Sequence, residues 1–106
     1  MTSLDKNKPV FYVGDHHGDW KQLEWFINRL EIKNCYLISV GDSGIGFKPK
    51  KEQLSDINSL NKKFKKLDIV FMSIRGNHDD PSYYNGADRI KLSNFETIED
   101  YTVMEH

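Results

Sequence analysis

Three apolar runs, each closed by a glycine and a polar residue, constrain this 106-residue chain most strongly. The runs are residues 9–13, 36–40 and 69–74, and each has the length and composition of one buried strand. The stretches between them, over residues 20–30 and 54–67, carry apolar residues at three- and four-residue spacing, which indicates amphipathic helices. Alternating strands and helices predict parallel βαβ units, and therefore an α/β fold with a mostly parallel sheet flanked by helices.

The remaining segments carry weaker local signals. Polar residues 1–8 predict a short lead-in, and either Gly18 or Asp19 is expected to cap the first helix. Polar and apolar residues alternate over residues 89–93, which predicts a short half-buried strand, and residues 97–106 are expected to form another.

Length and composition exclude several classes of protein. A chain of 106 residues builds one modest core, so we expect a single domain. Aromatic residues make up 12% of the chain, which is too many for a disordered protein. Fifteen Lys and Arg against sixteen Asp and Glu argue against a strongly basic nucleic-acid-binding surface. Cys35 is the single cysteine, which excludes an internal disulfide framework, and no apolar run approaches a membrane span; we expect a cytoplasmic protein.

Polar, metal-competent side chains follow all three predicted strands. These residues are Asp15 and His17, then Asp42, then Asn77 and His78. In open α/β sheets, ligands bind beyond the carboxyl ends of the strands, so these side chains are expected to converge at one sheet edge. Carboxylate, imidazole and carboxamide groups are all ligands for divalent metals.

Three ordered motifs in the same places resemble those of the calcineurin-like metallophosphoesterases. The sequence reads GDHHG at 14–18, GDSG at 41–44 and GNHD at 76–79, which is similar to the family's D-x-H-G, G-D-x-x and G-N-H-[DE] motifs. The resemblance covers residues 9–80 and is nearest to small bacterial or phage branches of the family. It implies that residues 1–106 form one metallophosphoesterase domain, equal to the first half of a two-sheet sandwich.

The resemblance also implies a role for each matching residue. Asp15 and His17 would hold a first divalent metal ion, Asp42 would bridge to a second, and Asn77 would hold that second ion. His78 would contact the phosphate and donate a proton to the leaving group. The ions implied are two of Mn, Fe, Zn or Mg, and the activity is hydrolysis of a phosphomonoester or phosphodiester.

Candidate substrate-binding residues lie around the third motif. Asn77 and His78 are expected to contact the phosphate, and Arg75 is a further candidate for which a structural hydrogen bond is the alternative. Tyr83 and Tyr84 follow directly, and they either line the substrate entrance or pack within their loop.

The second motif departs from the family pattern. Many members continue it as G-D-x-x-D-R-G, whereas this chain has Ile45 and Gly46 at the later positions. The carboxylate that orients the catalytic histidine in those members is therefore missing, and Asp79 or Asp80 is the candidate to orient His78 instead.

The histidines of the family's second half are missing as well. No G-H-x-H motif occurs, and His106 is the sole histidine after the third motif. We therefore expect a partial domain whose remaining ligands come from water or from another chain. Since a half-sandwich leaves one sheet face bare, a homo-oligomer or a complementing second half is the expected partner, besides the phosphate-ester substrate.

Two other functions are consistent with the same residues. A half-domain with an incomplete site can be a non-catalytic interaction or assembly module. A nuclease is the other alternative, and the lysines of residues 62–66 would then meet a phosphate backbone, although such a run is more often a solvated helix face.

Overall fold

The structure is a computed structural model that describes residues 2–14, 19–41, 43–76, 79–100, 102 and 104–105. Its strands are, in chain order, β1 (Thr2–Ser3), β2 (Val10–Val13), β3 (Cys35–Val40), β4 (Ile69–Ile74), β5 (Phe95–Ile98) and β6 (Met104–Glu105). Its helices are α1 (Trp20–Arg29), α2 (Lys50–Lys66) and the single-turn α3 (Ser82–Asn85).

The centre of the molecule is a four-stranded sheet in the order β2-β3-β4-β5, and every neighbouring pair is parallel. Parallel neighbours require crossovers, and α1 and α2 supply the first two. β1 and β6 pair in parallel as a separate two-stranded sheet. The predicted α/β fold with a mostly parallel sheet flanked by helices is confirmed.

Local signals at the helix ends explain where each helix begins and ends. The Asp19 carboxylate accepts a hydrogen bond from the Gln22 backbone N–H at 3.1 Å, so the expected cap of α1 is Asp19. The chain leaves each helix through a residue with a left-handed backbone, Glu31 with φ 53° after α1 and Asp68 with φ 52° after α2, and Asn34, just before β3, has φ 54°. Asn and Asp tolerate this conformation better than most residues.

One face of the sheet carries both long helices and most of the core. Leu37, Phe71 and Phe95 share one register row across β3, β4 and β5. The Phe64 ring of α2 stacks on Phe71 with 5.4 Å between ring centroids, and Trp20 of α1 meets Phe71 edge-on at 5.7 Å. Burying these rings provides the main driving force for holding the helices on the sheet.

The buried face of α1 is narrower than the sequence pattern indicates. Trp20, Leu23 and Ile27 are buried, as expected. Phe26 and Leu30 belong to the same apolar pattern but are 45% and 66% exposed. The packing of α2 against one flank of α1 explains the difference, because these two residues lie on the opposite flank.

The second face of the sheet is partly covered, contrary to the expectation of a bare face. Ile38 and Met72 are 2% and 4% exposed, and Leu4 is buried with them. The Asp5 backbone N–H donates to the Tyr36 hydroxyl at 2.8 Å. The predicted lead-in contains β1, and Leu4 and Asp5 after it lie on this face, because Leu4 finds apolar surface there.

The carboxyl-terminal strands also differ from the prediction. Residues 89–93 form no strand, and Lys91 makes an isolated antiparallel bridge to Glu96. The strand expected within residues 97–106 begins earlier, at Phe95, and is distinct from β6. The strand begins at Phe95 because pairing in parallel with the edge of β4 buries the Phe95 side chain in the core.

Candidate metal centre

The carboxyl ends of β3 and β4 meet through two glycines. The Gly41 backbone N–H donates to the Ile74 carbonyl oxygen at 3.1 Å. A Cβ atom built on Gly41, which has φ 91°, would lie 3.7 Å from the Gly76 Cα atom. β2 ends at the same edge, since Val13 pairs with Ser39. The strands thus bring together the backbone that precedes Asp42 and Asn77 in the sequence, as the strand-end argument predicts.

The predicted ligands themselves lie outside the described residues. These are Asp15, His17, Asp42, Asn77 and the expected proton donor His78. Their assigned roles therefore stay predictions. The geometry of the site is described instead by the residues that flank them in the chain, Gly14, Gly41, Ser43, Gly76 and Asp79.

Asp79 joins the two loops that carry the second and third motifs. Its side chain is buried, with the residue 2% exposed. One carboxylate oxygen, Oδ1, accepts the backbone N–H groups of Gly44 and Ile45 at 2.9 and 3.1 Å. The other, Oδ2, accepts those of Gly76 and Ser43 at 2.9 and 3.3 Å. We call this arrangement of one carboxylate and four amides the Asp79 clamp.

The sequence analysis predicts that either Asp79 or Asp80 orients His78. In the structure, both oxygens of Asp79 face backbone amides, and Asp80 Oδ1 accepts the backbone N–H and the hydroxyl of Ser82 at 3.0 and 2.9 Å. Because His78 lies outside the described residues, its orientation by either residue stays a prediction.

Sequence reasoning missed a buried chain of hydroxyl groups behind the clamp. The Ser43 hydroxyl is 2.6 Å from that of Ser39 and 2.9 Å from that of Ser73, and the Ser73 hydroxyl is 2.7 Å from that of Tyr84. All four residues are fully buried. Burial raises the pKa of the Tyr84 hydroxyl above its ordinary value, with a smaller contribution from the nearby Asp79 carboxylate, so Tyr84 stays protonated.

A signal for this chain was present in the sequence. Ser39 and Ser73 each occupy the last position but one of an otherwise apolar run. They are direct register partners in β3 and β4, and a polar residue at matching places in two buried strands indicates a buried polar contact.

The departures at the second motif have a packing explanation. Ile45 is fully buried in the core, where the family's aspartate would have to find a polar partner. Gly46 has φ 93°, and a Cβ atom there would lie 2.3 Å from the Asp80 Cβ atom. The Asp80 backbone N–H donates to the Ile45 carbonyl oxygen at 3.0 Å, so this loop closes directly on the turn after the third motif.

Arg75 makes a bidentate ion pair with Asp100. Its Nε and Nη2 atoms donate to the two carboxylate oxygens at 3.2 and 2.9 Å. These hydrogen bonds hold the pKa of Asp100 below its usual range. The contacts agree with the structural alternative for Arg75, and its contact with substrate stays a prediction.

Tyr83 and Tyr84 pack inside the fold. They are 4% and 0% exposed, and both belong to the core cluster that includes the helices. Their burial favours packing over a position at an exposed substrate entrance.

The chemistry of the predicted donors fits divalent cations. Two carboxylates, one imidazole and one carboxamide, from Asp15, Asp42, His17 and Asn77, are ligands that Mn, Fe and Zn accept. The contact between Gly41 and Gly76 brings together the loops that carry two of them. Within the described ranges alone, no three His, Cys, Asp or Glu residues are grouped to hold a metal. No helix in those ranges is long and apolar enough to cross a membrane.

Comparison with known proteins identifies a family for this chain. No curated protein and no solved structure is significantly similar to this chain. Residues 8–105, however, match the family of calcineurin-like phosphoesterases, whose members generally depend on two metal ions. The match spans nearly the whole chain and includes all three strand-end motifs. The chain therefore belongs to the calcineurin-like phosphoesterase family.

Proposed function

We propose that this chain is a metal-dependent phosphoesterase that hydrolyses a phosphomonoester or phosphodiester with two divalent metal ions, of which Mn²⁺ is our first choice. The observation that carries the proposal is the joining of the β3 and β4 ends by the Asp79 clamp. It holds Ser43 and Gly76, which adjoin Asp42 and Asn77 in the sequence, to one carboxylate. A cytoplasmic location is part of the same proposal.

In this mechanism, the predicted residues divide between metal binding, phosphate binding and proton donation. Asp15 and His17 would hold one ion, Asn77 would hold the other, and Asp42 would supply a carboxylate ligand to both. When bound, a pair of divalent cations stabilises the charge that develops on the phosphoryl oxygens and makes water a better nucleophile. Asn77 and His78 contact the phosphate, and His78 donates a proton to the leaving alkoxide, which an imidazole does well near neutral pH.

Metal titration tests the proposal directly. Calorimetric titration of Mn²⁺ into metal-free protein should show two bound ions per chain, and Asp42→Asn should abolish this binding because it removes the shared carboxylate. Asp56→Asn is a matched control, since the Asp56 carboxylate pairs with Lys48 at 2.7 Å on the surface of α2. Hydrolysis of p-nitrophenyl phosphate and of its bis-ester then identifies the ester class. Absence of Mn²⁺ binding by the wild-type chain would contradict the proposal.

A second function, an assembly module that binds another copy of the chain, is favoured by the edge of the sheet. β2 is an edge strand, and its Phe11 and Tyr12 side chains are 47% and 70% exposed. An open edge with exposed aromatic residues on both faces is a ready surface for strand pairing. Two copies related by a two-fold axis would pair these edges in antiparallel fashion.

A further inference from the structure

We propose that Asp79 is a positioning residue, which sets the separation of the two loops that carry Asp42 and Asn77 before any metal binds. The inference rests on the proposed function, because it gives the Asp79 clamp a purpose at the same site. It concerns a residue that would touch neither metal nor substrate, and that acts through the backbone of its partners.

The first support is that the Asp79 clamp joins segments that are far apart in the sequence. The amides of Ser43, Gly44 and Ile45 come from residues 34 to 36 positions before Asp79. The amide of Gly76 comes from its own turn, three residues before it. One side chain therefore ties the loop after β3 to the loop after β4, beyond the last strand pair of Val40 and Ile74.

The second support is the anchoring of the same loop from behind. The Ser43 backbone N–H is held by Asp79, while the Ser43 hydroxyl lies within hydrogen-bond distance of Ser39 and Ser73 in the two neighbouring strands. Tyr84 extends this chain of hydroxyls and is fully buried. The residue that follows Asp42 is thus fixed on both sides, an arrangement that fixes the loop more firmly than one contact would.

The third support is the fit of the loop around the carboxylate. Gly44 adopts φ 86°, and the successive amides of Ser43, Gly44 and Ile45 all point toward the Asp79 carboxylate. A concave run of backbone N–H groups is a favourable environment for a carboxylate. An amide side chain of the same size would instead point its NH₂ group at some of these N–H groups and could not accept all four hydrogen bonds.

The expected consequence concerns metal affinity. Ligands on two loops bind a shared pair of ions well only when the loops are held near the bound geometry beforehand. Loss of a group that supports metal ligands typically lowers metal affinity by about 10- to 100-fold. We expect Asp79→Asn to lower the affinity for Mn²⁺ by that amount.

Thr97→Val is the matched control. The Thr97 hydroxyl is buried in β5, where it accepts the Ile90 backbone N–H at 3.0 Å and donates to the Tyr83 carbonyl oxygen. This substitution removes buried hydrogen bonds from the same sheet without touching either loop. Its Mn²⁺ affinity should stay within about twofold of wild type, even though it lowers the melting temperature.

The experiment combines two measurements on the 106-residue wild-type chain and on its Asp79→Asn and Thr97→Val variants. Calorimetry gives the Mn²⁺ affinity, and amide hydrogen exchange of the metal-free proteins gives the protection of residues 43, 44, 45 and 76. In Asp79→Asn these four amides should lose protection and the affinity should fall, whereas Thr97→Val should preserve both. Ser73→Ala removes one of the two hydroxyl contacts behind Ser43, together with the contact between Ser73 and Tyr84. It should show a smaller loss in the same direction, and it replaces Asp79→Asn if that variant does not fold.

The outcomes separate this inference from the proposed function. If wild type binds Mn²⁺ and the Asp79→Asn affinity falls no further than that of Thr97→Val, the positioning role is overturned and the proposed function stands. Unchanged exchange at the four amides would overturn it as well. If wild type binds no Mn²⁺, the proposed function fails first, and the positioning role fails with it.

Discussion

Gly41 and Gly46 both lie in the loop after β3, but the backbone requires glycine at the two positions for different reasons. Both have a left-handed backbone, with φ of 91° and 93°. A Cβ atom on Gly41 would meet its nearest neighbour at an ordinary 3.7 Å, but on Gly46 it would lie 2.3 Å from the Asp80 Cβ atom. At position 41 glycine relieves backbone strain alone, whereas at position 46 it also makes room for Asp80, in the turn after the third motif.

These two positions form a matched pair for a stability measurement. Gly41→Ala should lower the free energy of unfolding by about 1–2 kcal/mol, the cost of a left-handed backbone for a residue with Cβ. Gly46→Ala should cost about 1–3 kcal/mol more, because the methyl group must displace Asp80. Urea denaturation of both variants measures the difference. Equal losses would show that the loop moves away from Asp80 without cost.

At the scale of elements, the packing of α1 depends on which flank α2 covers. The Glu24 carboxylate of α1 pairs with Lys63 of α2 at 2.8 Å, which marks the flank where the helices meet. Phe26 lies on the other flank and is 45% exposed, while its neighbour Ile27 is 2% exposed. Hydrophobic periodicity alone cannot separate the two, since both belong to one apolar stripe.

Adjacent substitutions on α1 test this assignment. Ile27→Ala should lower the free energy of unfolding by about 2–5 kcal/mol, because it leaves a cavity in the core. Phe26→Ala removes a larger side chain but should cost about 1 kcal/mol or less, because much of that side chain is already in water. Thermal unfolding followed by circular dichroism gives both values. A larger loss for Phe26→Ala would mean that this flank of α1 is covered in solution.

At the scale of the whole molecule, the second sheet face and the β2 edge bear on assembly. Leu4 covers part of the face that the half-sandwich argument left bare. The edge strand still presents Phe11 and Tyr12 to solvent, at 47% and 70% exposure. The homo-oligomer stays a proposal, and the exposed edge is now its main support.

Light scattering over a range of concentrations tests assembly through this edge. We expect wild type to form a dimer, and Tyr12→Lys to remain monomeric because a charge on an edge strand opposes pairing. Trp25→Lys is the control, since Trp25 is 57% exposed on α1, away from β2. A wild-type monomer at every concentration would contradict the assembly proposal, as would a dimer that Trp25→Lys disrupts and Tyr12→Lys does not.

Much of the fold could be predicted because its signals are local. The strand over residues 69–74 has the predicted bounds, and the Asp19 cap is where a carboxylate before an apolar helix should be. β1 and the start of β5 at Phe95 could not be predicted, because each strand forms by pairing with a strand that is distant in the sequence. The roles of the predicted metal ligands remain to be tested by experiment.

The sequence by itself determined the parallel βαβ order, the strand-end motifs and the family, because each of these depends on residues that are close together in the chain. Only the tertiary structure decided which flank of α1 is buried, what covers the second sheet face, and that Asp79 reaches the amides of Ser43, Gly44 and Ile45. Those contacts join segments some 34 to 36 residues apart. They exist because β3 and β4 lie side by side, and neither segment specifies that separation alone.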